Sequence, residues 1–130
     1  MQECIFCKIV RGEIPCYKVY EDKRCLAILD IFPATEGQTL VIPKEHVTSR
    51  FSDVPDHVLA DVLLTAKRVA AKLDSKLGTR TCLVIEGFDV DHLHYKLYPI
   101  SPGEHARFMP GKKAEERELS KVASKITKLC

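Results

Sequence analysis

The chain has 130 residues, 45% hydrophobic and 29% charged, the balance of one ordinary globular domain, and this excludes a disordered chain. Lys and Arg number 20 against 18 Asp and Glu, a net charge of +2, too little to argue for nucleic acid or an anionic lipid surface. No apolar run approaches the roughly 18 residues of a membrane span, and Met1-Gln2-Glu3-Cys4 has no basic stretch leading into an apolar one, so a cytoplasmic protein without membrane association is expected.

The segment Cys4 to Gly12 reads as a short helix or helical turn, ended by Gly12 and the Ile14-Pro15 step. Tyr17 to Glu21 and Cys25 to Asp30 read as strands joined by the turn Asp22-Lys23-Arg24. Gln38 to Ile42 is a third strand, stopped by Pro43. A long helix follows from Pro55 to Leu77, with Ser52 or Asp53 expected to cap it and Gly78 to end it. Its Val58, Leu59, Val62, Leu63, Ala66, Val69, Ala70, Leu73 and Leu77 recur at three- and four-residue spacing and form one apolar face. Thr81 to Glu86 is a fourth strand, and His92 to Tyr98 a fifth that Pro99 ends. After a Pro- and Gly-containing loop, a second helix runs from about Lys113 to Leu129, with Leu119, Val122, Ile126 and Leu129 on one stripe. This order predicts a single α+β domain over 1–130: an antiparallel sheet of about five strands, one long helix and a C-terminal helix.

The fifth strand is the most informative stretch. Successive side chains alternate between faces, so His92, His94, Lys96 and Tyr98 share one face and Leu93, Tyr95 and Leu97 the other, the core face. Of the six cysteines, Cys16, Cys25, Cys82 and Cys130 read as packing or surface residues. Cys4 and Cys7 differ, because they form a Cys-x-x-Cys pair. Such a pair alone is compatible with a metal site, a redox pair or coincidence; redox is disfavoured, since no βαβ pattern precedes it. Zinc takes Cys and His in a tetrahedron, and His46 and His92 are chemically reasonable partners, which spacing alone leaves open. His57 at the helix start and His105 in a Pro/Gly loop read as surface residues.

Taken together, three stretches resemble the histidine triad (HIT) family over nearly the whole chain: Cys4-Ile5-Phe6-Cys7-Lys8-Ile9-Val10-Arg11-Gly12-Glu13-Ile14-Pro15; Leu29-Asp30-Ile31-Phe32-Pro33 on through Gly37 to Leu40-Val41-Ile42-Pro43-Lys44-Glu45-His46; and Gly87-Phe88-Asp89-Val90-Asp91-His92-Leu93-His94. The family signature is His-φ-His-φ-His-φ-φ, with φ apolar. Here it reads His92-Leu93-His94-Tyr95-Lys96-Leu97-Tyr98, so the resemblance puts Lys96 at the third His. It makes His94 the nucleophile toward the α-phosphate of a nucleotide, with Lys96 as a point-charge donor to phosphate beside it. It places His92 with Cys4, Cys7 and His46 in a structural zinc set, as in the zinc-containing bacterial and archaeal branch. It maps the nucleoside pocket onto Phe6, Ile9, Ile28 and Ile31, with Asp30 accepting from ribose hydroxyls. Where many members carry Asn-x-Gly, this chain has Ile85-Glu86-Gly87, so the amide that contacts phosphate there has no counterpart.

The resemblance implies a homodimer that binds a purine nucleotide or nucleotide conjugate. The implied reaction is hydrolysis, or nucleotidyl transfer, of nucleoside phosphoramidates or dinucleoside polyphosphates through a nucleotidyl-histidine. The altered triad raises an alternative, a nucleotide-binding protein with weak or no turnover. Nucleic-acid processing, known among more distant relatives, is disfavoured by the small net charge and the lack of an appended basic domain.

Overall fold

The computed structural model describes residues 4–128, so the expectations for Leu129 and Cys130 lie outside them. Helix α1 (Ile5–Val10) leads into β1 (Lys18–Glu21), β2 (Cys25–Leu29) and β3 (Thr39–Pro43). Helix α2 (Asp56–Leu77) then precedes β4 (Arg80–Ile85) and β5 (Tyr95–Ile100), and α3 (Glu116–Thr127) ends the order. The strands form one five-stranded sheet in the order β1-β2-β3-β5-β4, with every neighbouring pair antiparallel. The fold is α+β, as the sequence pattern predicts.

Both faces of the central strands are covered. Every residue of β2 and β3 is buried, which explains why these strands read as continuous apolar runs rather than alternating ones. On one face Ala27, Leu29, Val41, Tyr95 and Leu97 meet Val62, Ala66, Val69 and Leu73 of α2 and Leu119 and Ile126 of α3. On the other, Leu26, Ile28, Leu40 and Ile42 pack against Phe6 of α1. The candidate site residues Phe6, Ile9 and Ile28 lie on this second face. Among the described residues, no helix is long and apolar enough to cross a membrane.

Several boundaries differ from expectation: β1, β2 and β4 shift by a residue, β3 takes in Pro43 rather than stopping before it, and three further differences have a clear cause. Ser52 and Asp53 do not cap α2; they sit in a separate 3₁₀ turn, Phe51–Asp53, and Pro55 is the N-cap, its carbonyl accepting from Val58 and Leu59 at 3.0 Å each. The fifth strand starts at Tyr95 rather than His92 and runs through Pro99. Its ladder with β3 stops at Val41↔Tyr95: just beyond, Pro43 has no N–H, and its carbonyl accepts instead from the His92 ring at 2.8 Å. Pro99 is tolerated because the β3 ladder ends at Leu97, so no ladder bond calls on its missing N–H, while its carbonyl accepts from the Thr35 hydroxyl at 3.0 Å. Finally, α3 begins at Glu116 rather than Lys113, since the Ala114 N–H is held by the Ile31 carbonyl at 2.8 Å.

Tyr95 joins sheet to helix: its ring is fully buried and its hydroxyl donates to the Leu59 carbonyl at 2.8 Å. Burial pushes its pKa up to about 12. A raised folded-state value means the unfolded chain loses this proton first, near pH 10, and stability then falls as pH rises. The loss approaches ~1.4 kcal/mol per pH unit and ends near pH 12. Urea melts of wild type and Tyr95→Phe at pH 8, 10 and 11 should show the variant about 1 kcal/mol less stable at pH 8 and the gap closing by pH 11. A constant gap would contradict the assignment.

Candidate functional site

The Cys-x-x-Cys pair forms the start of α1. Cys4 is the N-cap, and its Sγ accepts the Cys7 N–H at 3.4 Å, the way a cap side chain satisfies an orphan helix donor. The turn brings both sulfurs to the histidines. His92 Nδ1 lies 3.3 Å from Cys4 Sγ and 3.5 Å from Cys7 Sγ, and His46 Nδ1 lies 3.3 Å from Cys7 Sγ. The four donor atoms all lie within 4.8 Å of one another. Zn–S bonds of about 2.3 Å and Zn–N bonds of about 2.0–2.1 Å at a tetrahedral angle put sulfur and nitrogen about 3.6 Å apart, close to the separations found. The His92 tautomer also fits. Its Nε2–H donates to the Pro43 carbonyl, which can only accept, so Nδ1 keeps its lone pair toward the sulfurs. Cys4, Cys7, His46 and His92 could therefore hold a four-coordinate metal ion.

His46 comes from the loop after β3, and that loop is pinned to the segment ahead of β5. The Leu93 N–H donates to the Val47 carbonyl at 2.8 Å, and the Ser49 N–H donates to the Asp91 carboxylate at 3.0 Å. The contact is close enough that a Cβ on Gly87 would lie 2.1 Å from that of Ser49.

The Phe6 ring packs edge-on against His92 (centroids 5.7 Å apart) and His94 (5.1 Å). Beyond it opens a cavity of about 410 Å³, lined by His94, Lys96 and all the residues expected around a nucleotide: Phe6, Ile9, Ile28, Asp30 and Ile31. Its floor is the second sheet face, where Ile28 pairs with Leu40 and Leu40 with Lys96. His94 is 4% exposed. Its Nδ1–H donates to the His92 carbonyl at 2.7 Å, so Nε2 carries the free lone pair. Burial lowers the His94 pKa, the backbone bond opposes this, and the nearby Lys96 ammonium lowers it further. The ring is thus neutral and able to act as a nucleophile or base. Lys96 Nζ pairs with Glu86 at 3.2 Å. Asp30 accepts from the Phe32 N–H at 2.8 Å with one oxygen and from Gln38 Nε2 at 2.9 Å with the other. Each oxygen keeps a second lone pair for a hydroxyl.

Several lining residues were not legible beforehand. Gln38 orients Asp30 and could have been noticed as the polar start of an apolar strand. Glu86 and Asp89 add carboxylates to the rim. Phe108 and Pro110 come from the loop after β5; an apolar Phe-Met pair in a polar loop was the only sign. His57 and His105 are exposed and away from both groups, as expected. A larger hollow of about 630 Å³ lies between α3 and the 30–38 loop and shares Leu29, Asp30 and Gln38 with this cavity, but no His or Cys lines it.

The HIT domain family model matches residues 11–102. Adenosine 5'-monophosphoramidase HNT1 of Saccharomyces cerevisiae is 40% identical over 123 residues, covering 92% of this chain and 75% of the yeast protein. Among solved structures, a hypothetical histidine triad nucleotide-binding protein of Sulfolobus tokodaii superposes with a TM-score of 0.84 at 29% identity, over 95% of this chain and 89% of that one. A Zn-bound histidine triad family protein of Mycobacterium smegmatis gives 0.80 at 30% identity, over 95% and 93%.

Proposed function

Since this chain belongs to the HIT family, we propose that it is a cytoplasmic nucleotide hydrolase acting at the α-phosphate of nucleoside phosphoramidates or dinucleoside polyphosphates, with residues 1–130 working as one HIT domain. One observation carries the reading. A buried, neutral His94, its Nε2 lone pair free, shares a cavity of about 410 Å³ with Asp30 and an apolar wall. The yeast relative's name, an adenosine monophosphoramidase, agrees with it.

In this reading the base lies among Phe6, Ile9, Ile28 and Ile31, and Asp30 receives ribose hydroxyls. His94 Nε2 attacks the α-phosphorus while the bond to the leaving group breaks, and the leaving group takes a proton from solvent water as it departs. Water then attacks the nucleotidyl-histidine; its P–N bond breaks and returns His94 and the nucleotide. A phosphorylated acceptor in place of water would make the same site a transferase. Lys96, at the position of the third His, supplies positive charge where the phosphoryl oxygens gather negative charge. The His92 carbonyl holds the His94 ring in the reactive tautomer. Cys4, Cys7, His46 and His92 would hold zinc with four protein ligands, and its contribution would then be structural. These four residues would so tie α1 to the loop after β3 and to the segment ahead of β5.

A second reading has a specific observation in its favour. The Glu86 carboxylate partly neutralises Lys96, and Ile85 offers no amide, which suits a nucleotide-binding protein with weak or no turnover. His94→Ala should lower turnover of an adenosine phosphoramidate on the order of 10⁴-fold or more, with a much smaller loss of nucleotide affinity. Unchanged turnover, or a nucleotidyl group trapped on another residue by mass spectrometry, would refute the mechanism. Lys96→Met should weaken binding and turnover together. Higher turnover in Lys96→His would mark the native protein as a weakened enzyme.

The zinc reading predicts one equivalent of zinc in protein prepared without chelator. Cys7→Ser should lower both the zinc content and the melting temperature, the latter by roughly 5 °C or more for a loss of about 2 kcal/mol. Less than about 0.2 equivalents in wild type by elemental analysis would remove it.

We also propose a homodimer. β4 is a sheet edge paired only with β5, and its Cys82, Leu83, Val84 and Ile85 are half-buried apolar residues. Such an edge is a template for a second copy, and Leu63 of α2 is left 48% exposed. Light scattering at micromolar concentration should give twice the chain mass; a monomer mass would be decisive against it.

A further inference from the structure

Residues 101–115 leave β5 as an irregular strap ahead of α3, and Phe108 and Pro110 within it line the cavity. Two backbone bonds seat the strap on the loop that carries the Asp30 end of the site: Gly111 N–H to the Phe32 carbonyl at 3.1 Å, and Ala114 N–H to the Ile31 carbonyl at 2.8 Å. The seat is tight. A Cβ on Gly111 would stand 1.9 Å from the Pro33 carbonyl oxygen, so only glycine lets the two backbones approach this closely. The strap thereby holds the Phe108 ring edge-on to Tyr98, with centroids 4.9 Å apart. Tyr98 follows Lys96 on the same sheet face, at the Asp30 and Gln38 end. Phe108 and Pro110 both line the cavity, yet Phe108 stays 50% exposed. A large apolar ring held half in water over an apolar cavity is a contact surface for something that enters it. The family model stops at residue 102, so its match reaches neither Phe108 nor Gly111.

We infer that Phe108 is a nucleoside-binding residue, its ring packing on the base or ribose of the bound nucleotide opposite the Ile28 and Ile31 wall, with Gly111 as the residue that positions it. The inference rests on the nucleotide reading above. The occupant is fixed by the residues around the ring. Asp30, which offers free lone pairs to hydroxyls, is at the same end of the cavity, whereas His94 and Lys96, the phosphate-facing groups, lie farther along the β5 segment. A flat heteroaromatic base with a polar ribose matches an aromatic and aliphatic wall with one carboxylate.

The chain contains no Trp, so Phe108→Trp introduces a sole indole reporter at the wall. Titration with adenosine 5'-monophosphate, the probe without any leaving group, should change its emission with the Kd that calorimetry gives for wild type. Phe108→Leu should weaken AMP about 10-fold, as for loss of a base–aromatic stack, and raise KM for an adenosine phosphoramidate with kcat within about twofold. Gly111→Ala should weaken AMP comparably, and the double variant should be no weaker than either single, because both remove the same contact. An emission change with intact phosphoramidate but none with AMP assigns Phe108 to the leaving group and overturns the inference. So does unaltered AMP affinity in Phe108→Leu, or additive losses in the double variant. If wild type itself neither binds AMP nor turns over the phosphoramidate, the nucleotide reading fails first, and the inference falls with it.

Discussion

One buried imidazole organises this molecule. The Nε2–H of His92 is committed to the Pro43 carbonyl, its Nδ1 faces the Cys4 and Cys7 sulfurs, and its own carbonyl receives Nδ1–H of His94. Each of these contacts sets something else. The first takes the carbonyl that a longer β3–β5 ladder would have used and so ends that ladder. The second fixes where α1 lies. The third selects the tautomer of His94. A neutral imidazole that donated from Nδ1 could satisfy neither neighbour in the same way. The His94 ring and the Cys/His cluster are thus two ends of one hydrogen-bonded arrangement rather than two separate groups.

The arrangement also accounts for α1. Six residues are far below the length at which a helix holds itself together in water. It persists because Cys4 caps it, because Phe6 is buried against His92 and His94, and because its sulfurs converge with two imidazoles. Phe6 and Ile9 are in turn part of the cavity wall. Anything that loosens the cluster also loosens the wall.

How much of this could be read from the sequence depended on whether a feature was periodic. The alternation along residues 92–98 put Leu93, Tyr95 and Leu97 on the core face, and all three are buried there. The long helix declared itself through its apolar spacing, and the Cys-x-x-Cys pair through its rarity. Features set by contacts distant in the chain did not show. The start of β5 is decided by Pro43, which lacks an N–H, and by a side-chain bond across 49 positions. The caps expected at Ser52 and Asp53 lost to a short turn that ends before the helix. The late start of α3 and the role of Phe108 both follow from a strap held by the 31–33 loop, and an irregular segment has no period to read.

The cavity is assembled from opposite ends of the chain: Phe6 and Ile9 on one side, Phe108 and Pro110 on the other, with the sheet between. Joining them means closing a loop of about a hundred residues, and that entropy is recovered only once the intervening sheet has formed. The order of events during synthesis follows. A nascent chain released through β5 already holds every strand, the cysteine pair and both buried histidines. It still lacks Phe108 and Pro110 of the cavity lining and all of α3. The segment made after β5 therefore completes two things, the cavity lining on one sheet face and, through Leu119 and Ile126, the core on the other.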